Sequence, residues 1–204
     1  HVGELVATCV GATRAEAEDI ADLVELDLEE LPTVVDMIAA RTDPPAFVHD
    51  RWGDNVFLES RVDDDLSSVK RDAAVTLHRT MRTARQHMSP MEGRGVVCEW
   101  NRRLDQLVMH SATQMPHINR AGLSECLGLD QGSIRVVSPD VGGGFGYKGI
   151  LLPEEVCLAW LCMKLGRPVR WIEDRREQLS ANANCREHHY DITMYADAKG
   201  KILG

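Results

Sequence analysis

A glycine-rich segment constrains the fold of this chain more than any other feature. Gly142 to Gly146 holds four glycines around Phe145, an apolar run from Ile134 to Val137 precedes it, and a helix start at Pro153-Glu154-Glu155 follows it. Glycine adopts positive φ without steric cost and lets backbone N–H groups approach an anion closely. The sequence therefore predicts a loop between a strand and a helix, with backbone donors available to a ligand.

The loop by itself leaves three interpretations open. The order of strand, loop and helix is shared with phosphate-binding turns, but neither G-x-G-x-x-G nor G-x-x-x-x-G-K-[ST] is matched. A run of glycines also makes tight turns that bind nothing. A nucleotide site, a site for an anionic redox cofactor and a purely structural turn all remain possible at this point.

Residue patterns upstream of the loop predict antiparallel strands. Ala74 to Met81 alternates in the manner of a strand. Gly95 to Trp100 can pair with Leu104 to His110 across a turn at Asn101-Arg102-Arg103. A short helix is expected to end near Leu127-Gly128, where glycine provides a C-terminal cap.

The segment after the loop predicts a helix with clear ends. Pro153 suits the first helical position, and the two carboxylates that follow it complement the positive end of the helix dipole. Gly166 and Pro168 mark its end, and Val169 to Ile172 resumes as a strand. Strands that come first in hairpins and then alternate with helices predict an α+β architecture rather than a doubly wound sheet.

The N-terminal third predicts a strand, a helix and a connector. Leu5 to Val10 is expected to be a strand, and Thr13-x-x-Glu16 is a capping box that begins a helix. The polar stretch from Arg41 to Asp72 suits a connector between two packed units. Both ends look cut, because the chain opens with His1 and a turn at Asp197 to Gly200 should lead into a returning strand.

Composition limits the partners. The formal net charge of -9 disfavours nucleic acid and anionic membranes. The six cysteines are scattered without the spacing of a zinc site, so we expect reduced thiols. No signal peptide and no apolar stretch of about 20 residues occurs, which predicts a cytoplasmic protein with no membrane span.

Several short motifs together point to one family. They are His87-Met88-Ser89-Pro90-Met91-Glu92, Ser111 to His117, Ser138-Pro139-Asp140 leading into the glycines, Pro153-Glu154-Glu155, Leu165 to Trp171, Asp174-Arg175-x-Glu177, Thr13 to Asp19 and Leu31-Pro32. In this order and spacing they resemble the large, molybdopterin-binding subunit of the molybdenum hydroxylases. That family includes xanthine dehydrogenase, aldehyde oxidoreductase and aerobic carbon monoxide dehydrogenase.

The resemblance implies a domain arrangement. Residues 1–40 would be the C-terminal part of an α/β-hammerhead-like domain, and residues 41–72 would be the connector. Residues 73–204 would be the N-terminal, incomplete part of a molybdopterin cofactor-binding domain. The chain would then be a fragment of a catalytic subunit, which is not expected to catalyse alone.

The resemblance also implies the roles of five site residues. Gln114 would hydrogen-bond the apical oxygen on molybdenum, and Phe145 would form part of the pocket beside the metal; these are the two catalytic candidates. The cofactor-binding residues would be these two together with Gly143, Gly144 and Gly146, which would contact the cofactor through the backbone. No side chain of the protein would ligate the metal, because the dithiolene sulfurs of the pterin hold it.

Cofactors, partners and substrates follow from the same resemblance. The cofactor would be molybdenum-molybdopterin, with the cytosine dinucleotide as one possible form, and electrons would pass to 2Fe-2S clusters and FAD on partner subunits. An iron-sulfur small subunit and an FAD medium subunit would complete a dimer of heterotrimers. The substrate would be a small aldehyde, an N-heteroaromatic or carbon monoxide. Gly149 stands where purine-oxidising members carry glutamate, which argues against purines.

Other polar residues are assigned structural roles, and an alternative function stays open. Glu92 and His117 are expected to bond loops beneath the site, whereas Lys148 and Arg186 are expected at the solvated surface. The general-base glutamate matches no motif within residues 1–204. A non-catalytic relative that keeps the fold as an assembly module is therefore the alternative.

Overall fold

A computed structural model describes residues 1–181 and 183–204 of the chain. These residues divide into two compact units that interleave along the sequence. The first unit comprises residues 1–8 and 80–191, and the second comprises residues 9–79 and 192–204.

The described residues form helices and strands throughout the chain. The helices are α1 (Arg14–Ala21), α2 (Met37–Thr42), α3 (Ser67–Asp72), α4 (Pro116–Leu127), α5 (Pro153–Leu165) and α6 (Arg175–Ala181). The strands are β1 (Val75–Thr83), β2 (Gln86–His87), β3 (Gly95–Asn101), β4 (Gln106–Ser111), β5 (Ile134–Val137), β6 (Val169–Ile172), β7 (Asn184–Cys185) and β8 (His188–Ala196). β1 pairs with β8, and β2 pairs with β7.

A four-stranded mixed sheet is the centre of the first unit. Its strand order is β5-β4-β3-β6, with β3 antiparallel to both β4 and β6. β4 and β5 run parallel. The predicted hairpin is confirmed, with Asn101 opposite Gln106 and a turn that closes through Asp105 at a φ of 50°. The mixture of hairpin and parallel pairing confirms the α+β prediction.

The core lies where α4 and α5 cover this sheet. On β3, Val96 and Cys98 are buried while Val97 and Glu99 are exposed, which is the period of two expected of a strand with one covered face. The cluster of fully or nearly fully buried residues is Val96, Cys98, Leu107, Met109, Leu123, Ile134, Leu158, Ala159 and Cys162. Each large apolar side chain in it contributes about 1.5–3 kcal/mol by leaving water.

The predicted end of α4 and both predicted ends of α5 are confirmed. α4 begins at Pro116 and is capped by Gly128 in the left-handed conformation at φ 67°. α5 begins at Pro153 and is capped by Gly166 at φ 61°. Left-handed φ costs glycine nothing, so each helix stops there without strain.

The second unit contains short, exposed helices. Thr13 caps α1 as predicted, since its hydroxyl accepts the Glu16 N–H at 3.2 Å. Asn55 joins separate stretches: its amide donates to the carbonyls of Ala40 and Ala46, and its oxygen accepts the Val48 N–H. These bonds give the predicted connector a defined local structure.

Two predictions about strands need correction or refinement. Leu5 to Val10 is not a strand, because no ladder in the described residues includes it and a strand requires a hydrogen-bonded neighbour. The return after the Asp197 turn does occur, as a single bridge between Ala196 and Ile202.

The predicted boundaries of the hammerhead-like, connector and cofactor-binding regions stay a prediction. No helix in ranges 1–181 and 183–204 is long and apolar enough to cross a membrane.

Candidate functional site

The parallel pairing of β4 and β5 brings two distant stretches of chain to one edge of the sheet. The register places Leu107 opposite Ile134 and His110 opposite Val137. Gln114 comes shortly after the carboxyl end of β4, and the glycine-rich loop comes shortly after the carboxyl end of β5. The carboxyl edge of parallel strands is where ligands of α/β proteins usually bind.

Gln114 contacts the loop directly. Its side-chain oxygen accepts the N–H of Gly146 at 3.0 Å. Because a backbone N–H can only donate, this bond fixes which end of the amide faces the loop. The Gln114 NH2 group therefore points away from Gly146, and it has no hydrogen-bond partner among residues 1–181 and 183–204. It is a free, neutral donor on an exposed side chain.

Gly144 packs against Gln114 so closely that a side chain at this position would displace Gln114. A Cβ atom built on Gly144 would lie 2.4 Å from the Gln114 Oε1 and 2.5 Å from its Cδ. Contacts under 3.0 Å force a displacement. Gly144 must therefore be glycine for Gln114 to keep its position.

The loop presents further unpaired donors. The backbone N–H groups of Gly143, Gly144 and Phe145 make no hydrogen bond within the described part of the chain, whereas Gly142 and Gly146 donate to side chains. Gly143 and Gly146 have φ of 92° and 94°, which glycine alone adopts readily. Together with the Gln114 amide, these donors suit an anionic or oxygen-rich ligand.

Phe145 occupies the tip of the loop. It has a φ of 55°, one of two positive-φ residues other than glycine in the described chain, and its residue surface is 73% exposed. A bulky residue in this conformation is uncommon and costs on the order of 1–3 kcal/mol. An exposed aromatic ring held in a strained loop is available to form one wall of a binding pocket.

One carboxylate holds both ends of the loop. Glu92 Oε2 accepts the N–H of Gly142 at 2.7 Å and the ammonium of Lys148 at 2.6 Å. The bond from Lys148 lowers the pKa of Glu92, although partial burial opposes the shift. Glu92 thus takes the structural position that the sequence predicted for it beneath the site.

The prediction for Lys148 is wrong. This residue was expected at the solvated surface, but its side chain is fully buried. Its main-chain carbonyl also accepts the N–H of Gln114 at 2.8 Å and the hydroxyl of Thr113 at 3.1 Å. A buried ammonium needs a partner charge, and Glu92 supplies it. Arg186 is exposed, as predicted. His117 was expected to bond loops beneath the site, but it is exposed and its side chain makes no hydrogen bond within residues 1–181 and 183–204.

Tyr147 anchors the loop from below through a buried ion cluster. Its hydroxyl donates to Glu173, and its ring lies 5.1 Å from the guanidinium carbon of Arg94. Arg94 pairs with Glu173 and Glu154 at 2.9 Å each and also lies over the Trp171 ring. Burial, followed by the bond to Glu173, raises the pKa of Tyr147. Although burial opposes it, the hydrogen bond from Arg94 lowers the pKa of Glu154.

Glu155 was predicted only as a charge at the start of a helix, but it is buried and accepts three hydrogen bonds. One of its oxygens accepts from Ser111 at 2.6 Å and Asn119 at 2.9 Å, and the other accepts the N–H of Leu152. Burial raises the pKa of this carboxyl, while its hydrogen bonds oppose the shift. The position of Glu155 in the first turn of α5 could have indicated the bond to Leu152, but not the bonds from Ser111 and Asn119.

An open cavity lies away from the loop. It is an apolar groove of about 570 Å³ whose lining includes Cys126, Leu151, Cys157 and Trp160. None of the five predicted site residues lines it. Its chemistry is that of an exposed apolar surface, so the loop and Gln114 remain the candidate site. No three His, Cys, Asp or Glu side chains within ranges 1–181 and 183–204 are placed to hold a metal ion.

Fold and loop define the class of protein: an α+β domain that offers backbone and amide donors at the carboxyl ends of two parallel strands. The profile of the molybdopterin cofactor-binding domain matches residues 48–204. The chain belongs to this family, within the large subunits of the molybdenum hydroxylases.

Relatives and solved structures agree on the family. The chain is 37% identical to the nicotine 6-hydroxylase large subunit of Paenarthrobacter nicotinovorans, over 100% of the chain and 25% of the relative. It is 34% identical to the carbon monoxide dehydrogenase large chain of Hydrogenophaga pseudoflava, over 98% of the chain and 26% of the relative. The structure of quinoline 2-oxidoreductase from Pseudomonas putida 86 superposes with a TM-score of 0.81 at 36% identity, over 94% of this chain and 24% of that one. The chain thus spans about a quarter of the length of these relatives.

Proposed function

We propose that this chain contributes the glycine-rich part of the cofactor site in the large subunit of a molybdenum hydroxylase. Gln114, Gly143, Gly144, Phe145 and Gly146 would form that part of the site. The observation that carries the proposal is the orientation of Gln114, whose NH2 group is turned outward by its bond to Gly146. Three unpaired backbone N–H groups stand beside it.

These residues fit a molybdenum-pterin cofactor. An anionic group rich in oxygen and sulfur needs donors that neither titrate nor compete as metal ligands, and the loop offers backbone N–H groups and one amide. When bound, the cofactor supplies the two-electron chemistry, and the protein supplies position and electrostatics. Gln114 would donate to an oxygen of the cofactor, and Phe145 would shield the pocket beside it.

The general base would come from outside residues 1–204. Glu154 is paired with Arg94, and Glu155 accepts bonds from Ser111, Asn119 and Leu152. Both carboxylates are therefore committed to structure. Proton transfer from the attacking oxygen requires a carboxylate or another base within hydrogen-bond reach of it.

The proposed substrate is a small N-heteroaromatic, with an aldehyde or carbon monoxide as the other classes. Two of the relatives are by name enzymes of nicotine and quinoline, both of which contain an aromatic ring nitrogen. A third is a carbon monoxide dehydrogenase. Gly149 has no side chain to bind a purine, which keeps purines the least favoured class.

Electron transfer would require partner subunits. Relatives described as a large subunit and a large chain imply companion chains in those enzymes. For this protein we propose 2Fe-2S clusters and FAD on an iron-sulfur small subunit and an FAD medium subunit, assembled as a dimer of heterotrimers in the cytoplasm. The cofactor could take the form of the cytosine dinucleotide.

Metal and pterin analysis of the full-length subunit, purified with its partner subunits, tests this proposal. We expect molybdenum in near-stoichiometric amount and a fluorescent pterin after acid oxidation. Absence of both would overturn the proposal and favour the non-catalytic relative. Saturable ATP or NAD binding by calorimetry, lost in Gly144→Val, would instead favour a nucleotide site.

A further inference from the structure

The two ends of the glycine-rich loop are joined by a single carboxylate oxygen. Glu92 Oε2 accepts from Gly142 at the start of the loop and from the ammonium of Lys148 just after it. The residues between them hold the unpaired N–H groups of the site. The distance between the loop ends is thus set by a residue on a separate part of the chain.

Lys148 also connects this bond to Gln114. Its carbonyl accepts the Gln114 N–H, and its side chain binds Glu92. Displacing Lys148 would therefore move the Gln114 backbone and release one end of the loop together. The bond from Gly146 to the Gln114 side chain depends on both positions.

The charges of this pair matter as well as its shape. The Lys148 side chain is fully buried, so water cannot solvate its ammonium if Glu92 loses its charge. A buried charge without a partner is costly, so the Lys148 ammonium would move towards solvent. Movement to solvent would open the loop. The ammonium is fully buried and bonded to Glu92, so it is not a donor presented to a ligand.

We propose that the Glu92–Lys148 ion pair is a positioning device that sets the separation between the Gln114 amide and the glycine-rich loop, and thereby determines whether the cofactor is retained. This inference rests on the proposed function for its ligand. Glu92 and Lys148 are positioning residues rather than catalytic residues, because each acts through Gln114, Gly142 or Gly146.

Hydrogen exchange and molybdenum content of the full-length subunit with its partners test the inference. Lys148→Met should increase amide exchange in residues 141–149 and lower the molybdenum-to-protein ratio by about 10- to 100-fold, as loss of a residue supporting a metal site typically does. Lys148→Arg keeps the charge and should retain more molybdenum than Lys148→Met. The matched control, Lys164→Met, changes an exposed lysine and should leave both readouts unchanged.

Glu92→Gln gives a readout that a merely structural role would not move. Its amide can still accept from Gly142, but the Lys148 ammonium loses its counter-charge. Molybdenum retention should therefore fall and amide exchange in residues 141–149 should rise in this variant, because the buried ammonium no longer has a counter-charge to hold it. Glu92→Gln/Lys148→Met, which buries no charge, should recover part of the loss. Glu125→Gln, on an exposed glutamate, is the control.

The outcomes separate this inference from the proposed function. If the wild-type protein contains no molybdenum, the proposed function is overturned. Hydrogen exchange of residues 141–149 in the variants then tests by itself whether the ion pair positions the loop. Wild-type protein with molybdenum, but variants unchanged in both readouts, overturns only the inference. Exchange that increases equally in β3 and β4 also overturns it, because the pair would then support general stability rather than the loop.

Discussion

Gln114 and Gly146 lie 32 residues apart in the chain, and the side-chain oxygen of the first accepts the backbone N–H of the second at 3.0 Å. This bond leaves the NH2 group of Gln114 as the donor that faces outward. The oxygen of the amide binds the loop and its NH2 group is offered to a ligand, so a substitution can remove one of these functions and keep the other.

Gln114→Glu should preserve the loop and impair the site. A carboxylate at this position can still accept from Gly146, but it has no N–H to donate and it adds a negative charge facing an anionic cofactor. We expect molybdenum retention or turnover of the full-length enzyme to fall on the order of 10- to 100-fold. Thermal unfolding should change little. Gln131→Glu, on an exposed glutamine, serves as the control. An unchanged metal content and turnover would argue against the donor role.

Gly144→Ala should displace Gln114. The added methyl group would lie 2.4 Å from the Gln114 Oε1, whereas a methyl group on Gly149 would meet the same atom at an ordinary 3.8 Å. Exchange at Gly146 should increase in Gly144→Ala, with loss of bound molybdenum, and both should remain near wild type in Gly149→Ala. Equal behaviour of the two variants would contradict the close packing of Gly144 on Gln114.

Local patterns in the sequence predicted much of the fold around the site. The β3–β4 hairpin, the C-terminal end of α4, both ends of α5 and the strand before the loop are set by nearby residues: alternation, proline at the first helical turn and glycine at the cap. The meeting of Gln114 with the glycines was expected from the family resemblance. The parallel β4–β5 pair gives its physical cause.

The rest depends on contacts between distant residues, which no local pattern encodes. A lysine is usually solvated, and the burial of Lys148 follows only from Glu92, which lies 56 residues away. Arg94 is likewise buried because Glu154 and Glu173 meet it from separate elements. Leu5 to Val10 has the composition of a strand but lacks a neighbouring strand to pair with.

Arg94→Met should destabilise the protein strongly. The substitution removes the partner of two carboxylates, one of them fully buried, and breaking a buried pair from one side costs about 3–5 kcal/mol. We expect a lower thermal midpoint of the full-length subunit. Arg135→Met, on an exposed arginine of β5, should change stability by no more than about 0.5 kcal/mol. Comparable midpoints for the two variants would show that the ion cluster is dispensable.

Acid should release the glycine-rich loop before the core unfolds. The pKa of Glu92 is lowered below its usual 4.5, chiefly by the bond from Lys148. Since a lowered pKa stabilises the folded state above the usual value, the contribution is complete at pH 5 and above, and it is lost as pH falls through the lowered pKa. Exchange in residues 141–149 should therefore rise below pH 4.5, ahead of β3 and β4. Simultaneous opening of loop and sheet would contradict this order.

Two cysteines of the core should resist alkylation. Burial raises the pKa of both Cys98 and Cys162, and the thiolate is the reactive form. Mass spectrometry after brief iodoacetamide treatment at pH 8 should find them unmodified until denaturant is added. Cys126 and Cys185 are exposed and should react before them. Early modification of Cys98 would indicate that α5 does not cover β3 as described.

The pairing of Leu107 with Ile134 sets the position of the glycine-rich loop relative to Gln114. A slip of β5 by one residue along β4 would shift the glycine-rich loop by about 3.3 Å and turn Ile134 out of the core. That shift exceeds the length of the hydrogen bond between Gly146 and Gln114. Two buried apolar side chains, Leu107 and Ile134, therefore set the alignment of the donors, and substitutions there should alter binding without altering any polar group.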